Sequence, residues 1–337
     1  MNKSCLIGFL MCSAFSLVVQ AATDGAHITK TISQIERKKG IKRTIQYRPD
    51  GNDFVCVNGK NRYTRALYGG ITDFRIETSD RPVFATYKPK DSKHICFRLQ
   101  CGNQSIALDS LKFCEARYRA GRRTYRLTDP LLGKGELNIS VLAFPDAEGG
   151  IWRFTMKDMP EGALLHCYIS EIRAKNLSRN GDMGADRADS FDAPQLPKEQ
   201  KHYKLSLDGT TAYIVVEDQE LRLPALVEGT SLYDKSEKWR SEIESSLQIS
   251  TPDPYFNPLG GALAAAADGI WDGKIWLHGA IGWRSQLNGW RAAYIGDFIG
   301  WHDRARTHFD SYAASQVTDV PATIPHPTQD TALHLAS

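Results

Sequence analysis

The fold is constrained most by a pattern of short strands that recurs between about residues 27 and 235. Apolar and polar residues alternate there in brief runs, and turn signals divide the runs roughly every 8–12 residues, as in all-β proteins. The clearest runs are Thr44–Arg48, Asp53–Val57, Ile95–Leu99, Ser105–Leu108, Glu136–Leu142, Trp152–Met156, Leu164–Ile169 and Ala212–Val216. Cys114–Tyr118 and Thr124–Thr128 flank Ala120-Gly121 and predict a hairpin. The pattern therefore predicts a mainly β fold built on a large β-sandwich.

The periodicity becomes helical further along the chain. Ser236–Leu247 has a helical pattern, and Asn257-Pro258 predicts the N-cap and first residue of a second helix. Asp297 is predicted to cap a longer helix that carries Trp301. We therefore expect a β-sandwich domain over residues 22–235 and a helical segment over residues 236–337.

The first 21 residues have the three parts of a secretory signal peptide. Lys3 supplies a positive start, and Cys5–Val19 is an apolar run shorter than the roughly 20 residues of a spanning helix. Val19-Gln20-Ala21 fits the signal-peptidase pocket, so cleavage is expected before Ala22. An uncleaved membrane anchor is the alternative. Because no later apolar run is long enough to span, we expect a soluble, periplasmic or secreted protein without membrane contact after cleavage.

Charge is distributed unevenly along the chain. Residues 26–130 contain 22 Lys and Arg against 10 Asp and Glu, whereas the remainder is acidic. A basic front half favours an anionic ligand such as a uronic-acid polymer. The alternative is a solvated surface whose charges are unevenly spread.

Three further features of the sequence bear on loops, disulfides and surface charge. The polar stretch 176–204 has no periodicity and predicts either a functional loop or a surface excursion. The five cysteines after the signal peptide include a disulfide pair or are all small core residues; they are Cys56, Cys96, Cys101, Cys114 and Cys167. The arginines of the predicted hairpin alternate between two faces, and we expect them to be mainly solvated; they are Arg117, Arg119, Arg122, Arg123 and Arg126.

The densest group of chemically active side chains lies between Trp271 and Asp310, where five of the seven tryptophans occur. Aromatic rings stack on the apolar faces of sugars, while Asp, His and Arg bind sugar hydroxyls. The candidate saccharide-binding residues are Trp290, Arg291, Trp301 and His302. Asp297 and Asp303 are candidates for a glycosidase-type pair of acids. The alternatives are core tryptophans, a helix cap at Asp297 and an ion pair at Asp303.

Other functional classes lack their signals. His302-Asp303 has no further His or Asp at metal-ligand spacing, so no metal site is predicted. There is no nucleophile elbow, phosphate-binding loop, dinucleotide fingerprint or nucleic-acid motif. We therefore expect no cofactor and no nucleic-acid partner, and an oligo- or polysaccharide as the ligand.

Longer stretches carry a resemblance to a known family. Residues 58–87, 118–137 and 177–186, the last reading LSRNGDMGAD, resemble the N-terminal β-domain of unknown function numbered 4450, found in exported proteins of polysaccharide-degrading Gram-negative anaerobes. Residues 255–319 resemble the opening of a six-hairpin (α/α)6-barrel glycosidase. The resemblance implies carbohydrate breakdown. It places Arg291, Asp297, His302 and Asp303 near the sugar site of the barrel and assigns no catalytic role.

The resemblance also departs from the family pattern. Twelve helices of about 11 residues with connections of 4–6 residues need at least roughly 190 residues, more than residues 251–337 supply. We therefore expect the N-terminal part of an exported glycoside hydrolase-like enzyme, inactive as this fragment and ending in an incomplete helical segment. The alternative is a non-catalytic carbohydrate-binding or scaffold β-sandwich.

Overall fold

The computed structural model describes residues 46–175, 177, 187–277, 289–314, 329–330 and 335–336. The predicted signal peptide, residues 1–21, lies outside these ranges. Within them, no helix is both long and apolar enough to cross a bilayer.

The predicted mainly β fold is confirmed, because two antiparallel sheets dominate the described chain. The first has eight strands in the order β1-β2-β8-β9-β10-β11-β14-β15. Its members are β1 Arg48–Asp50, β2 Asp53–Val57, β8 Phe113–Arg119, β9 Arg122–Thr128, β10 Glu136–Ala143, β11 Gly149–Lys157, β14 Thr211–Glu217 and β15 Glu220–Arg222. The hairpin predicted around Ala120-Gly121 is formed by β8 and β9.

The second sheet has seven strands in the order β13-β12-β6-β5-β4-β3, and β7 pairs with β6. Its members are β3 Arg65–Tyr68, β4 Arg75–Thr78, β5 Val83–Tyr87, β6 Lys93–Cys101, β7 Gln104–Ala107, β12 Leu164–Glu171 and β13 Gln200–Ser206. Short 3-10 turns occupy Leu108–Ser110, Pro130–Leu132 and Ala188–Phe191. β16 Gln329–Asp330 and β17 Leu335–Ala336 form a separate pair.

The core fills the space between the two sheets. Inward-facing residues of both sheets form one buried cluster, at whose centre Phe84 makes edge-to-face contacts with Phe97, Tyr125 and Trp152. The contacts of Phe84 with Tyr125 and Trp152 cross between the two sheets and join them into a sandwich, because each aromatic pair adds roughly 0.5–1.5 kcal/mol to its burial.

A buried polar network closes one region of this core. Arg123 and Asp80 are both fully buried, with Arg123 Nη2 3.8 Å from Asp80 Oδ1. Asp80 also accepts hydrogen bonds from Gln46 Nε2 at 2.6 Å, from the Asn61 backbone N–H at 2.9 Å and from the Tyr47 hydroxyl. The expectation that the hairpin arginines are mainly solvated is therefore wrong for Arg123, because strand alternation points its side chain into the sandwich.

The five cysteines are all unpaired; Cys56, Cys114 and Cys167 are buried, as the core interpretation predicts, whereas Cys96 and Cys101 are half-buried. The strand register explains the lack of a disulfide between Cys96 and Cys167, which lie on paired strands. Cys96 is opposite Tyr168 and Cys167 is opposite Phe97, so the two side chains point to opposite faces of the sheet.

The polar stretch 176–204 is partly structured. Its described end forms most of β13, at the edge of the second sheet. Phe191 is buried against Tyr63, Val83 and Tyr87 on the outer side of that sheet. This part of the stretch is therefore a packed covering.

In the described part of the chain, four helices follow the sandwich: α1 Leu226–Ser245, α2 Leu259–Gly269, α3 Gly289–Phe298 and α4 His302–Ala313. Helix α1 begins ten residues before the predicted start at Ser236. Its N-cap, Ala225, makes no side-chain hydrogen bond, so the sequence carries no capping signal there. The expected switch from sandwich to helix at residue 235 therefore falls inside α1.

The prediction that Asp297 caps a helix is wrong, because Asp297 lies in the last turn of α3. Gly300 has φ +91° and ends that helix. Its N–H bonds the Asp297 carbonyl at 3.1 Å, while the Trp301 N–H bonds the Gly296 carbonyl at 2.8 Å. This pair of bonds is a Schellman motif, which ends α3, and the helix predicted to begin at Asp297 begins instead at His302 as α4.

Candidate functional site

The outer face of the eight-stranded sheet is divided into an apolar half and a polar half. The apolar half consists of Leu142, Ile151, Tyr213 and Val215, and helix α1 covers it with Tyr233. The polar half, called here the polar face, consists of Glu115, Arg117, Thr124, Arg126, Asn138, Ser140, Arg153 and Thr155. The helix therefore leaves the hydrogen-bonding half of this sheet open.

Strand register places the polar face in two parallel rows. One row crosses β8, β9, β10 and β11 as Glu115, Arg126, Asn138 and Thr155. The other crosses the same strands as Arg117, Thr124, Ser140 and Arg153. Neighbouring strands lie about 4.8 Å apart, so each row presents a polar group at regular intervals across the sheet.

The centre of the polar face is concave and encloses about 340 Å³, with Tyr233 of α1 on its border. Ligand pockets span roughly 300–1,000 Å³, so this concavity is at the small end of that range. Hydroxyls, an amide and guanidinium groups line it together, which suits a ligand rich in hydrogen-bonding groups.

Most of the charge on the polar face is internally compensated. Glu115 accepts from Arg117 Nε at 2.8 Å and from Arg126 Nη2 at 3.3 Å. Burial alone would raise the pKa of Glu115, but these two guanidinium groups hold that pKa below its usual value. Arg117 also pairs with Asp50 and Asp53, at 2.8 and 3.2 Å. Glu115 is therefore ionised, and its carboxylate positions Arg117 and Arg126 on the polar face.

Arg153 differs from the other arginines of the face. Its guanidinium carbon lies 3.8 Å from the centroid of the Tyr233 ring, a cation–π contact. The Tyr233 hydroxyl lies 2.7 Å from Ser140 Oγ, which fixes the ring on the sheet. Helix α1 thus positions Arg153 through a single aromatic side chain.

The remaining hairpin arginines fasten α1 to the sheet. Arg119 Nε donates to Glu244 at 2.6 Å and Arg122 Nη1 donates to Glu237 at 2.8 Å. Arg240, itself buried, pairs with both acids at 2.7 and 2.8 Å. The solvated interpretation is therefore also wrong for Arg119 and Arg122, because an acidic strip on α1 faces them.

The sequence-predicted acids lie apart from the polar face, on the surface of α3 and α4. Asp297 accepts from His302 Nδ1 at 2.6 Å, and both side chains are more than half exposed. Asp303 is 98% exposed and lies 3.5 Å from Arg306 one turn further along the same helix, so its contact is a surface ion pair and not one at a seam between domains. No described contact joins Asp297 to Asp303, and their role in sugar chemistry stays a prediction.

The predicted binding residues fall into two groups. Trp301 is half-buried, and Arg304 lies 4.5 Å from its ring centroid. Trp290 and Arg291 belong to α3, but their side chains lie outside the described part of the structure. Among the candidates whose side chains are described, His302 and Asp297 are in direct contact.

Described residues of the stretch between Trp271 and Asp310 form a small hydrophobic core, separate from that of the sandwich. Trp276 is fully buried with Ala293 and Ala305, and its indole N–H donates to the Ala267 carbonyl at 3.0 Å. Beside it, Arg304 pairs with buried Asp268 at 2.7 Å. Burial raises the pKa of Asp268, and Arg304 opposes that shift. For Trp276, the core alternative is confirmed.

Sequence reasoning overlooked the polar face, although its strands were predicted. The signal was present as polar residues at every second position in four successive strands: Glu115 and Arg117, Thr124 and Arg126, Asn138 and Ser140, and Arg153 and Thr155. Aligning them needs the register of three hairpin pairings. Among the described residues, no three His, Cys, Asp or Glu side chains group closely enough to hold a metal ion.

Part of the chain matches a protein-family model. No curated protein matches the chain. Residues 89–216 match the family model described as "Domain of unknown function (DUF4450)", a range that contains all eight residues of the polar face. The match includes two of the three stretches that carry the resemblance, 118–137 and 177–186, and it ends before the helices begin. The central part of the β-sandwich is therefore similar to the DUF4450 family.

Proposed function

We propose that this chain binds saccharide on the polar face, as the N-terminal part of an exported carbohydrate-active enzyme. The observation that carries the proposal is the pair of polar rows that crosses four strands beside α1. A sugar presents hydroxyls at short regular intervals, and amide, hydroxyl and guanidinium groups pair with them in either direction. The rows could therefore contact two or more groups of one saccharide.

The enzyme part of the proposal is supported by the resemblance of residues 255–319 to the opening of a six-hairpin glycosidase. In that arrangement the sandwich would hold a polysaccharide while the helical domain acts on it, with Asp297 and Asp303 near the sugar. A non-catalytic binding module is the alternative, and the rows favour it equally because they require no reaction.

Binding is tested by calorimetric titration of the purified chain with a panel of neutral and acidic oligosaccharides. The double variant Asn138→Ala/Thr155→Ala removes an amide and a hydroxyl from one row. Each lost hydrogen bond costs about 0.5–1.5 kcal/mol, so we expect affinity to fall roughly 5-fold to 150-fold. The matched control is Gln104→Ala/Ser105→Ala, which removes the same groups from exposed positions on β7 of the other sheet.

The possible outcomes distinguish a wrong binding site from a wrong function. Unchanged affinity in Asn138→Ala/Thr155→Ala would move binding away from the polar face. Absence of binding to every oligosaccharide would overturn the proposed function. Export is tested separately, by sequencing the N-terminus of the protein recovered from the periplasm or medium; a mature chain starting at Ala22 is expected.

A further inference from the structure

The concavity of the polar face has an excess of positive charge. Its charged lining residues are four arginines and one acid: Arg117, Arg122, Arg126, Arg153 and Glu115. Acids outside the lining compensate three of these arginines. Arg117 has Asp50 and Asp53, Arg126 has Glu136 at 3.5 Å, and Arg122 has Glu237.

Arg153 is the exception among these four. Within the described ranges no carboxylate pairs with it, and its Nε is buried without a hydrogen-bond partner. Its contact is instead with the face of the Tyr233 ring, which holds the planar guanidinium in one orientation. Because the Arg153 guanidinium is half-buried, held in one orientation and without a counter-ion, it is preorganised to bind an anion.

The neighbours of Arg153 are suited to a sugar. Thr124, Asn138 and Thr155 line the same concavity as Arg153. Their hydroxyls and amide donate to or accept from sugar hydroxyls equally well. Arg153 is therefore the lining arginine that no described carboxylate pairs, and neutral hydrogen-bonding groups lie beside it.

We propose that the polar face selects a saccharide with an anionic unit, and that Arg153 binds the carboxylate or sulfate of that unit. The inference rests on the proposed function, since it names the ligand class of the same face. A guanidinium offers two parallel N–H donors to either anion, and such charge-assisted bonds are about twice as strong as neutral ones. Arg153 is thus the residue that determines specificity.

The test titrates the full chain with two matched pairs of probes. One pair is a hexamer of galacturonic acid and its methyl ester; the other is a sulfated galactan hexamer and its desulfated form. We expect at least one charged probe to bind roughly tenfold or more tighter than its neutral partner. Comparison of the two pairs distinguishes carboxylate from sulfate.

Variants assign the preference to Arg153. Arg153→Gln should reduce the ratio of affinities for the charged and neutral probes to about one. Arg153→Lys should retain part of this preference, because lysine keeps the positive charge but lacks the two parallel N–H donors of the guanidinium. Arg222→Gln is the matched control, since Arg222 lies on β15 outside the polar face and is already paired with Glu217 and Glu228. It should keep most of the preference. Thermal unfolding of each variant checks the fold, and Arg153→Lys carries the test if Arg153→Gln is unstable.

Three results would overturn the inference. Equal affinity for charged and neutral probes would show that the face does not recognise an anion, although saccharide binding itself would stand. A charge preference that survives Arg153→Gln would reduce Arg153 to a packing residue on Tyr233. Absence of binding by all four probes and by the neutral panel would overturn the proposed function together with the inference.

Discussion

The buried pair Asp80 and Arg123 gives the sharpest prediction about stability. Asp80→Asn preserves the shape of the side chain but leaves the Arg123 cation inside the sandwich without a carboxylate. Removing one partner of a buried ion pair costs about 3–5 kcal/mol, because the other charge stays buried and uncompensated. Both side chains are fully buried, so solvent does little to lower this cost.

The contacts of the pair predict an asymmetry between its two partners. Arg123→Met removes the cation, whereas Asp80 keeps its donors from Asn61 and Gln46 at 2.9 and 2.6 Å. We therefore expect Arg123→Met to cost less than Asp80→Asn. The double variant should cost less than the sum of the two, because neither charge is then left unpaired.

Urea unfolding followed by far-ultraviolet circular dichroism measures these differences. A loss of 3–5 kcal/mol corresponds to a fall of roughly 6–20 °C in melting temperature for a domain of this size. The control is Arg126→Gln, an exposed ion-pair member that should cost at most about 1 kcal/mol. A cost below 1 kcal/mol for Asp80→Asn would refute the claim that a buried charge pair closes the core.

Three further predictions concern packing, pH and a surface acid. Gly229→Ala should lower the free energy of unfolding by about 1–3 kcal/mol, because the added Cβ would lie 2.3 Å from the Tyr213 ring. Urea unfolding measures this, and Gly209→Ala, with open space around it, is the control. Burial lowers the pKa of His308 in the folded protein, so the unfolded chain binds more protons. The free energy of unfolding should therefore fall as pH drops below about 6.5. His308→Asn should weaken this pH dependence in melting curves. Asp303→Asn should change stability by less than about 0.5 kcal/mol, because the side chain is exposed, and a larger loss would contradict its surface placement.

The strands could be predicted closely because alternation reports a sheet with one buried face. Glu136–Leu142 and Leu164–Ile169 each lie within a strand of the structure, and the hairpin around Ala120-Gly121 formed as expected. The helical boundaries were predicted less well. Helix α1 lacks a side-chain cap, and Asp297 looked like a cap until Gly300 proved to end the preceding helix.

The two candidate sites differ in how visible they are in the sequence, and the reason is local. Tryptophans and acids are concentrated between Trp271 and Asp310, and concentration along the sequence is visible without a structure. In the described residues Trp276 is core and Asp303 is an exposed ion-pair member. The polar face instead draws two ordinary residues from each of four strands, and it exists only when their registers align.

The sequence by itself determined that the chain is mainly β, where most strands lie, and which side chains alternate along each strand. Alternation defines two faces but does not say which face is covered. Tertiary structure decided that Arg123 is buried against Asp80, while Arg153 is held by Tyr233 of α1. The physical reason is that pairing of β2 with β8, pairing of β11 with β14, and the packing of α1 on one half of the sheet all join residues far apart in sequence.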